Sequence, residues 1–173
     1  EISTRDWSSD VCSSDLSGVK NLYSLLNLEK IMISKYQDVR NFEKINTIMR
    51  EEQPEIVFHM AAQPLVRASY KDPLFTYSTN IMGSVNILEA SRQHDFIKSV
   101  IIITTDKVYA NNEWVWPYRE NDRLGGHDPY SASKAAAEIV VDSYRDSYLK
   151  QQKKSVSTVR AGNVIGGGDW SEE

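Results

Sequence analysis

Cysteine is almost absent. Cys12 is the only one in 173 residues, which excludes an internal disulfide and any metal site built on cysteines. No apolar run approaches the ~18 residues a helix needs to span a bilayer, and the N-terminal end lacks the basic-then-apolar layout of a secretory signal. These absences predict a cytoplasmic protein with no membrane partner. Charge of one sign is scarce too. The formal net charge is -4, from 24 acidic and 20 basic residues. Four of those acids (Glu1, Asp6, Asp10, Asp15) and one base (Arg5) lie within residues 1–16, so the remainder stands about one charge from neutral. That balance gives no electrostatic reason to expect nucleic acid. Glycine is sparse at eight residues, and its one cluster, Gly166 to Gly168, comes near the end of the chain.

What is present changes character at about residue 17. The opening EISTRDWSSDVCSSDL has neither helical nor strand period, repeats Ser-Ser-Asp, and sets Trp7 and Cys12 among small acidic residues. It resembles one translated frame of a common sequencing adapter, and residues 1–16 are expected to be a non-native or disordered leader.

From about Lys30 short apolar runs alternate with amphipathic stretches, the pattern of βα units around a parallel sheet. "KIMISKY" (30 to 36) is predicted as a short strand ending in a polar turn from Gln37 to Asn41. "FEKINTIMREE" (42 to 52) spaces Phe42, Ile45, Ile48 and Met49 as a helix does. "EIVFHM" (55 to 60) reads as a buried strand, "NIMGSVNILEASRQH" (80 to 94) as a helix, and "SVIIITT" (99 to 105) as a β-branched strand covered on both faces. "YSASKAAAEIVVDSYRDSYLKQ" (130 to 151) is a long alanine-rich helix and "SVSTVR" (155 to 160) a further strand. The order predicts an α/β fold, a partial doubly wound (Rossmann-like) parallel sheet that lacks its first strand and glycine loop and the C-terminal substrate domain.

In such sheets ligands bind beyond the carboxyl ends of the strands, so the residues that follow each apolar run are the candidates. Tyr130 and Lys134 stand one helical turn apart on one face, and an ammonium beside a phenol favours the phenolate. A tyrosine so activated takes a proton from a sugar hydroxyl while a hydride leaves the same carbon. Alone, Tyr-x-x-x-Lys reads more readily as a surface phenol near a cation than as a catalytic pair. Its context, between buried strands and after Thr-Thr-Asp-Lys, favours chemistry.

The stretches "HMAAQ", "STNIMGSVNILEA", "TTDKVY", "DPYSASKAAAE" and "RAGNVIGGGDW" occur in the order and at the intervals of the extended short-chain dehydrogenase/reductase family, which the chain resembles from about Asn21 onward. "FHMAAQPLVRASYKDP" and "NNEWVWPYREND" are similar to its 4,6-dehydratase branch that acts on CDP-glucose. The resemblance implies that residues 17–173 form a partial NAD(P)-binding domain carrying the catalytic residues. It further implies a nucleotide-sugar substrate, a homodimeric full-length parent, and a place in deoxysugar biosynthesis for lipopolysaccharide O-antigen. Bound NAD would take hydride from C4 of the glucose, water would be eliminated across C5 and C6, and the hydride would return to C6.

The roles implied are these. Tyr130 accepts the C4 hydroxyl proton, with Lys134 beside it, and both also face the cofactor. Thr105 completes the set with a hydrogen bond to the C4 oxygen, its rival reading being a plain β-branched strand residue. Asp106 protonates the departing C6 hydroxyl. Lys107 stands where most relatives have the glutamate base, and acting as a base requires its pKa to fall well below about 10.4 through burial or a neighbouring cation. The rival for this pair is a simple ion pair at a strand end. Asp38 matches an acid near the adenine and Val39 a residue packing on its ring, against a turn or cap acid. Ala61 and Ala62 let a cofactor approach the backbone, and Met60 before them is a further cofactor-side candidate. Thr79 and Asn80 lie beside the nicotinamide ribose, although Asn80 also suits a helix N-cap. Asn163 contacts substrate or serves as a turn residue. His59 reads as core, and Trp114 and Trp116 either wall the site or cover apolar surface.

Nothing in the chain matches Gly-x-x-Gly-x-x-Gly after a first strand, although the pyrophosphate of NAD depends on those amides. Gly166 to Gly168 follow a late strand and cannot replace them. The chain is therefore expected to be inactive by itself, to expose apolar sheet faces, and to show no micromolar binding in an NAD titration. Two rivals remain: an NAD-dependent sugar-nucleotide epimerase, disfavoured by Asp106 and Lys107, and a non-catalytic nucleotide-binding module, which has no need of the whole set.

Overall fold

The computed structural model describes Asn27, Lys30 and residues 32–164. The leader at 1–16 and the late glycine cluster lie outside the described residues.

The first element follows from its own sequence. Helix α1 (Phe42–Glu52) buries Ile45 and Met49 on one stripe, and Asn41 caps it by accepting from the Lys44 amide at 3.2 Å. Gln53 ends it in the left-handed region (φ 45°) with its N–H on the Met49 carbonyl. Strand β1 (Ile56–His59) then leads through a loop to two short helices, α2 (Val66–Lys71) and α3 (Pro73–Tyr77). Asp72 caps α3, accepting from the Phe75 amide at 2.9 Å, and Pro73 fills the first helical position, where a missing N–H costs nothing. A single π-helical turn, Ser78–Met82, joins α3 to α4 (Gly83–Gln93). The run predicted to begin at residue 80 thus starts at Pro73, and the Asp-Pro dipeptide is the signal.

Strand β2 (Ser99–Thr105) has the bounds expected of it. It is followed by a 3-10 turn, Asp106–Val108, a loop, helix α5 (Pro129–Tyr144), a second π turn (Arg145–Leu149), and β3 (Ser155–Ala161). The three strands are parallel in the order β1-β2-β3, with Val57 opposite Val100 and Val100 opposite Val156. This is the partial doubly wound sheet read from the sequence.

The register puts Val57, Val100, Ile102 and Val156 on one face, where they form the core with Ile45, Met49, Ile87, Leu88, Ala90 and Val141 from α1, α4 and α5. The opposite face is barer: Ile56 and Phe58 are each 52% exposed and Val159 47%. Among the described residues, then, β2 is clothed on one side only, where its β-branched run had suggested two. The stretch expected as a strand over 30 to 36 lies outside the three described strands, none of which pairs with residues 33–36.

Candidate active site

Helix α5 sets the catalytic pair. Asp128 caps it, its carboxylate accepting from the Ser131 amide at 2.9 Å and the Ser131 hydroxyl at 2.6 Å, with Pro129 at the first position. Gly126 fits against this first turn because it has no side chain; a Cβ there would stand 2.3 Å from the Ala132 nitrogen. The cap and the glycine place Tyr130 over the carboxyl end of β2.

Lys134 is 7% exposed, and its Nζ donates to the Ile103 carbonyl at 3.0 Å. Burial pushes its ammonium down from 10.5 to about 8. Tyr130 moves the other way: burial raises its phenol, the Thr105 hydroxyl facing it works to lower it, and Asp106 and Asp128 raise it further. The sequence had suggested that Lys134 would favour the phenolate. Here Lys134 is turned toward a backbone oxygen of β2, and the upward causes win.

Thr105 closes the end of β2. Its side chain accepts from the Lys107 amide at 3.4 Å, capping the 3-10 turn, and its hydroxyl donates to the Asp106 carboxylate at 3.2 Å. Both Asp106 and Lys107 are exposed, so the described residues do not supply the burial that a base role asks of Lys107. Gly162, at the end of β3, faces the Asp106 carboxylate, and Asn163 follows it in an exposed position.

The cofactor-side candidates divide. Ala61 and Ala62 are buried just past β1, while Met60 is 45% exposed. Thr79 and Asn80 sit in the π turn, a helical irregularity frequent at functional sites. Asn80 is not an N-cap. Its carboxamide accepts from the Gln63 amide at 2.7 Å and donates to the Gln63 carbonyl at 3.1 Å and the Ser133 hydroxyl at 2.8 Å, tying the loop after β1 to the catalytic helix. Thr79 is 3% exposed, and its Oγ1 has no hydrogen-bond partner. Asp38 does what a turn acid does: it accepts from the Arg40 amide at 2.8 Å and pairs with the Arg40 guanidinium, which holds its carboxyl below the usual range. Val39, 2% exposed, packs into the space over Gly83.

Thr105 and Tyr130 meet beyond the carboxyl end of β2, and comparison with known proteins places the chain in a family. The family model described as GDP-mannose 4,6 dehydratase matches residues 8–158. The chain belongs to this family. It is 51% identical over 164 residues to the CDP-glucose 4,6-dehydratase of Salmonella typhimurium, covering 92% of this chain and 46% of that relative. Among solved structures it is similar to the UDP-glucose 4-epimerase of Thermotoga maritima with UDP-glucose (TM-score 0.70, 28% identity, 84% of this chain and 45% of that one). It is also similar to the dTDP-glucose 4,6-dehydratase of Bacillus anthracis in complex with NAD (TM-score 0.67, 25% identity, 84% and 44%). The chain spans a little under half the length of these relatives.

Family membership leaves three features of the site to be read from the structure. His59 is core, as expected, but specific in its bonding. Ser84 gives its one proton to the Asn80 carbonyl at 2.7 Å, so it must accept from His59 Nε2 at 3.1 Å. Nδ1 is therefore the bare nitrogen, and it has no partner. Burial, then the nearby Lys134 charge, lowers this imidazole to about 3, so it is neutral at pH 7. Gln63 and Ser133 had no sequence signal beyond their neighbours. Glu138 had one: it follows Tyr130 and Lys134 at the same four-residue interval, on the same face of α5.

Proposed function

We propose that this chain carries the catalytic part of an NAD-dependent sugar-nucleotide 4,6-dehydratase that acts on CDP-glucose. The observation that supports it best is the position of Thr105, whose hydroxyl faces the Tyr130 phenol and reaches the Asp106 carboxylate at 3.2 Å. One hydroxyl thereby links the group that handles the C4 proton to the group that handles the C6 oxygen. An epimerase has no use for the second.

The residues present fit the cofactor. Thr79 offers a buried hydroxyl without a partner, and Lys134 uses one of its three N–H groups, on Ile103. These are the donors and acceptors that ribose hydroxyls require, and Ala61 and Ala62 leave the backbone open to close approach. When bound, NAD supplies the oxidant for C4 and returns the same reducing equivalent to C6.

The chain's own groups do the proton work. The C4 hydroxyl proton passes to the Tyr130 oxygen, with Thr105 bonded to the C4 oxygen. Tyr130 accepts it as the phenolate, after its own proton has gone to solvent, and that ionisation requires positive charge to offset the burial and the two carboxylates that hold the phenol protonated. Lys134, with its pKa of about 8, still carries such a charge at pH 7. Asp106 takes up the proton that the Lys107 ammonium sheds as substrate covers this end, and gives it to the C6 hydroxyl, which leaves as water. Lys107 takes the C5 proton when substrate covers this exposed end and desolvates its ammonium.

The test is to incubate the complete protein with CDP-glucose, dTDP-glucose and GDP-mannose and to identify the products. A 4-keto-6-deoxy sugar from the CDP substrate is expected. A product that retains its C6 oxygen refutes dehydration, and preference for another base refutes the substrate.

A further inference from the structure

The loop from Tyr109 to His127 joins two catalytic pieces, Lys107 at one end and Tyr130 at the other. Its base is zipped: the Ala110 amide donates to the Arg123 carbonyl at 2.9 Å, the Gly125 amide to Val108 at 2.8 Å, and Tyr109 bridges Leu124 antiparallel. A column of rings runs out from this base. Tyr109 stacks on Tyr118 at 5.0 Å between centroids, and Trp114 follows at 5.4 Å.

One ion pair, between a half-buried guanidinium and a buried carboxylate, holds the inner end of the column. Arg160 of β3 bonds the Glu138 carboxylate through Nε and Nη2, each at 3.0 Å. Thr104 (2.6 Å) and Thr158 (3.0 Å) donate to the same carboxylate, which is 2% exposed. The third nitrogen of the guanidinium turns to the loop: Nη1 donates to the Tyr109 hydroxyl at 2.9 Å and the Glu120 carbonyl at 2.8 Å, and the planar group lies 4.9 Å from the Tyr109 ring centre. Burial works to raise Glu138, but Arg160 and the two threonines hold it below the usual carboxylate range.

We propose that Arg160 is a positioning residue, a clamp that fastens the Tyr109–His127 loop to the catalytic helix through Glu138 and so fixes Lys107 and Tyr130 relative to each other. The inference rests on the dehydratase reading. Only a forked, planar cation can hold a carboxylate with one edge and a loop carbonyl and aromatic ring with the other. Lysine in its place keeps the charge and loses the second grip. Buried pairs of this kind cost as much as they stabilise, so a role in geometry explains the arrangement better than one in stability.

The experiment uses the complete protein and two variants, Arg160→Lys and Tyr118→Leu. The second leaves the Arg160–Glu138 pair whole and breaks the column beyond it, which keeps the test alive should the first fail to fold. Hydrogen exchange over 109–125 is expected to rise at least about tenfold in both, with α4 unchanged. Turnover is expected to fall at least about tenfold while KM moves less than about threefold, since misplacing reacting groups lowers kcat without weakening ground-state binding. Loop exchange equal to that of the unaltered protein overturns the clamp, and so does a loosened loop with unchanged kcat. Should the unaltered protein dehydrate no sugar nucleotide, the dehydratase reading fails at that step, and loop exchange alone decides whether the clamp stands.

Discussion

Replacing Lys134 by Met should stabilise the protein while abolishing its chemistry. A shift from 10.5 to about 8 means that burying this ammonium costs roughly 3 kcal/mol, at about 1.36 kcal/mol per unit. Met fills nearly the same volume without a charge. Against this stands the loss of one hydrogen bond, which leaves the Ile103 carbonyl unpaired at about 1–3 kcal/mol. The net at pH 7 is a gain of about 0–2 kcal/mol. A pH scan gives a sharper result. The unfolded chain binds the Lys134 proton more tightly than the folded one, so stability rises with pH through the window from about 8 to 10.5. Between pH 7 and 9 the unaltered protein should gain roughly 1 kcal/mol from this group, and Lys134→Met should lack that gain. Urea unfolding followed by circular dichroism at the two pH values measures both. A variant less stable by more than about 3 kcal/mol at pH 7, or one that keeps the full pH slope, refutes the reasoning.

Three further outcomes are expected. Asp106→Asn should lower turnover about 100-fold, the scale of a lost general acid, and leave stability within about 0.5 kcal/mol because the side chain is exposed; steady-state kinetics beside a urea melt separates the two. Lys154 is buried, with Nζ on the Ser91 and His94 carbonyls at 2.7 and 2.9 Å where α4 ends, so Lys154→Met should cost about 1–3 kcal/mol; an equal or higher melting temperature counts against that account. Gly126→Ala would drive a methyl into the backbone of the first turn of α5, which cannot yield, so thermal unfolding should show a loss above about 2 kcal/mol; a near-neutral result would mean that this turn is mobile.

What the sequence disclosed depended on whether the cause was local. FEKINTIMREE and SVIIITT became an element with the bounds read for them, since periodicity, a cap and β-branching act within the segment itself. The π turn at Ser78–Met82 has no sequence signature at all; what fixes it is the reach of Asn80 to Gln63 and Ser133, contacts across 17 and 53 positions. Arg160 escaped notice for a similar reason. At the end of a strand it looks like a solvated cation, and its place between Glu138 and Tyr109 appears only when β2, β3 and α5 are assembled.

The same assembly explains why one end of the sheet is chemically distinct. Across the described residues nearly every buried side-chain polar atom has a partner, and the exceptions are His59 Nδ1 and Thr79 Oγ1. The imidazole senses the charge of Lys134, and Thr79 precedes the asparagine that bonds Ser133 of the catalytic helix. Among the described residues Lys134 is a buried cation with no carboxylate partner, whereas Arg160 of β3 has Glu138, which stands one turn beyond Lys134 on the same face of α5. Two buried polar atoms without partners and a buried ammonium without a counter-ion carry a standing cost. Packing gains nothing from that cost. It is accounted for if a polar ligand completes the bonds, so Thr79→Val should weaken NAD binding to the complete protein while leaving its stability the same or higher.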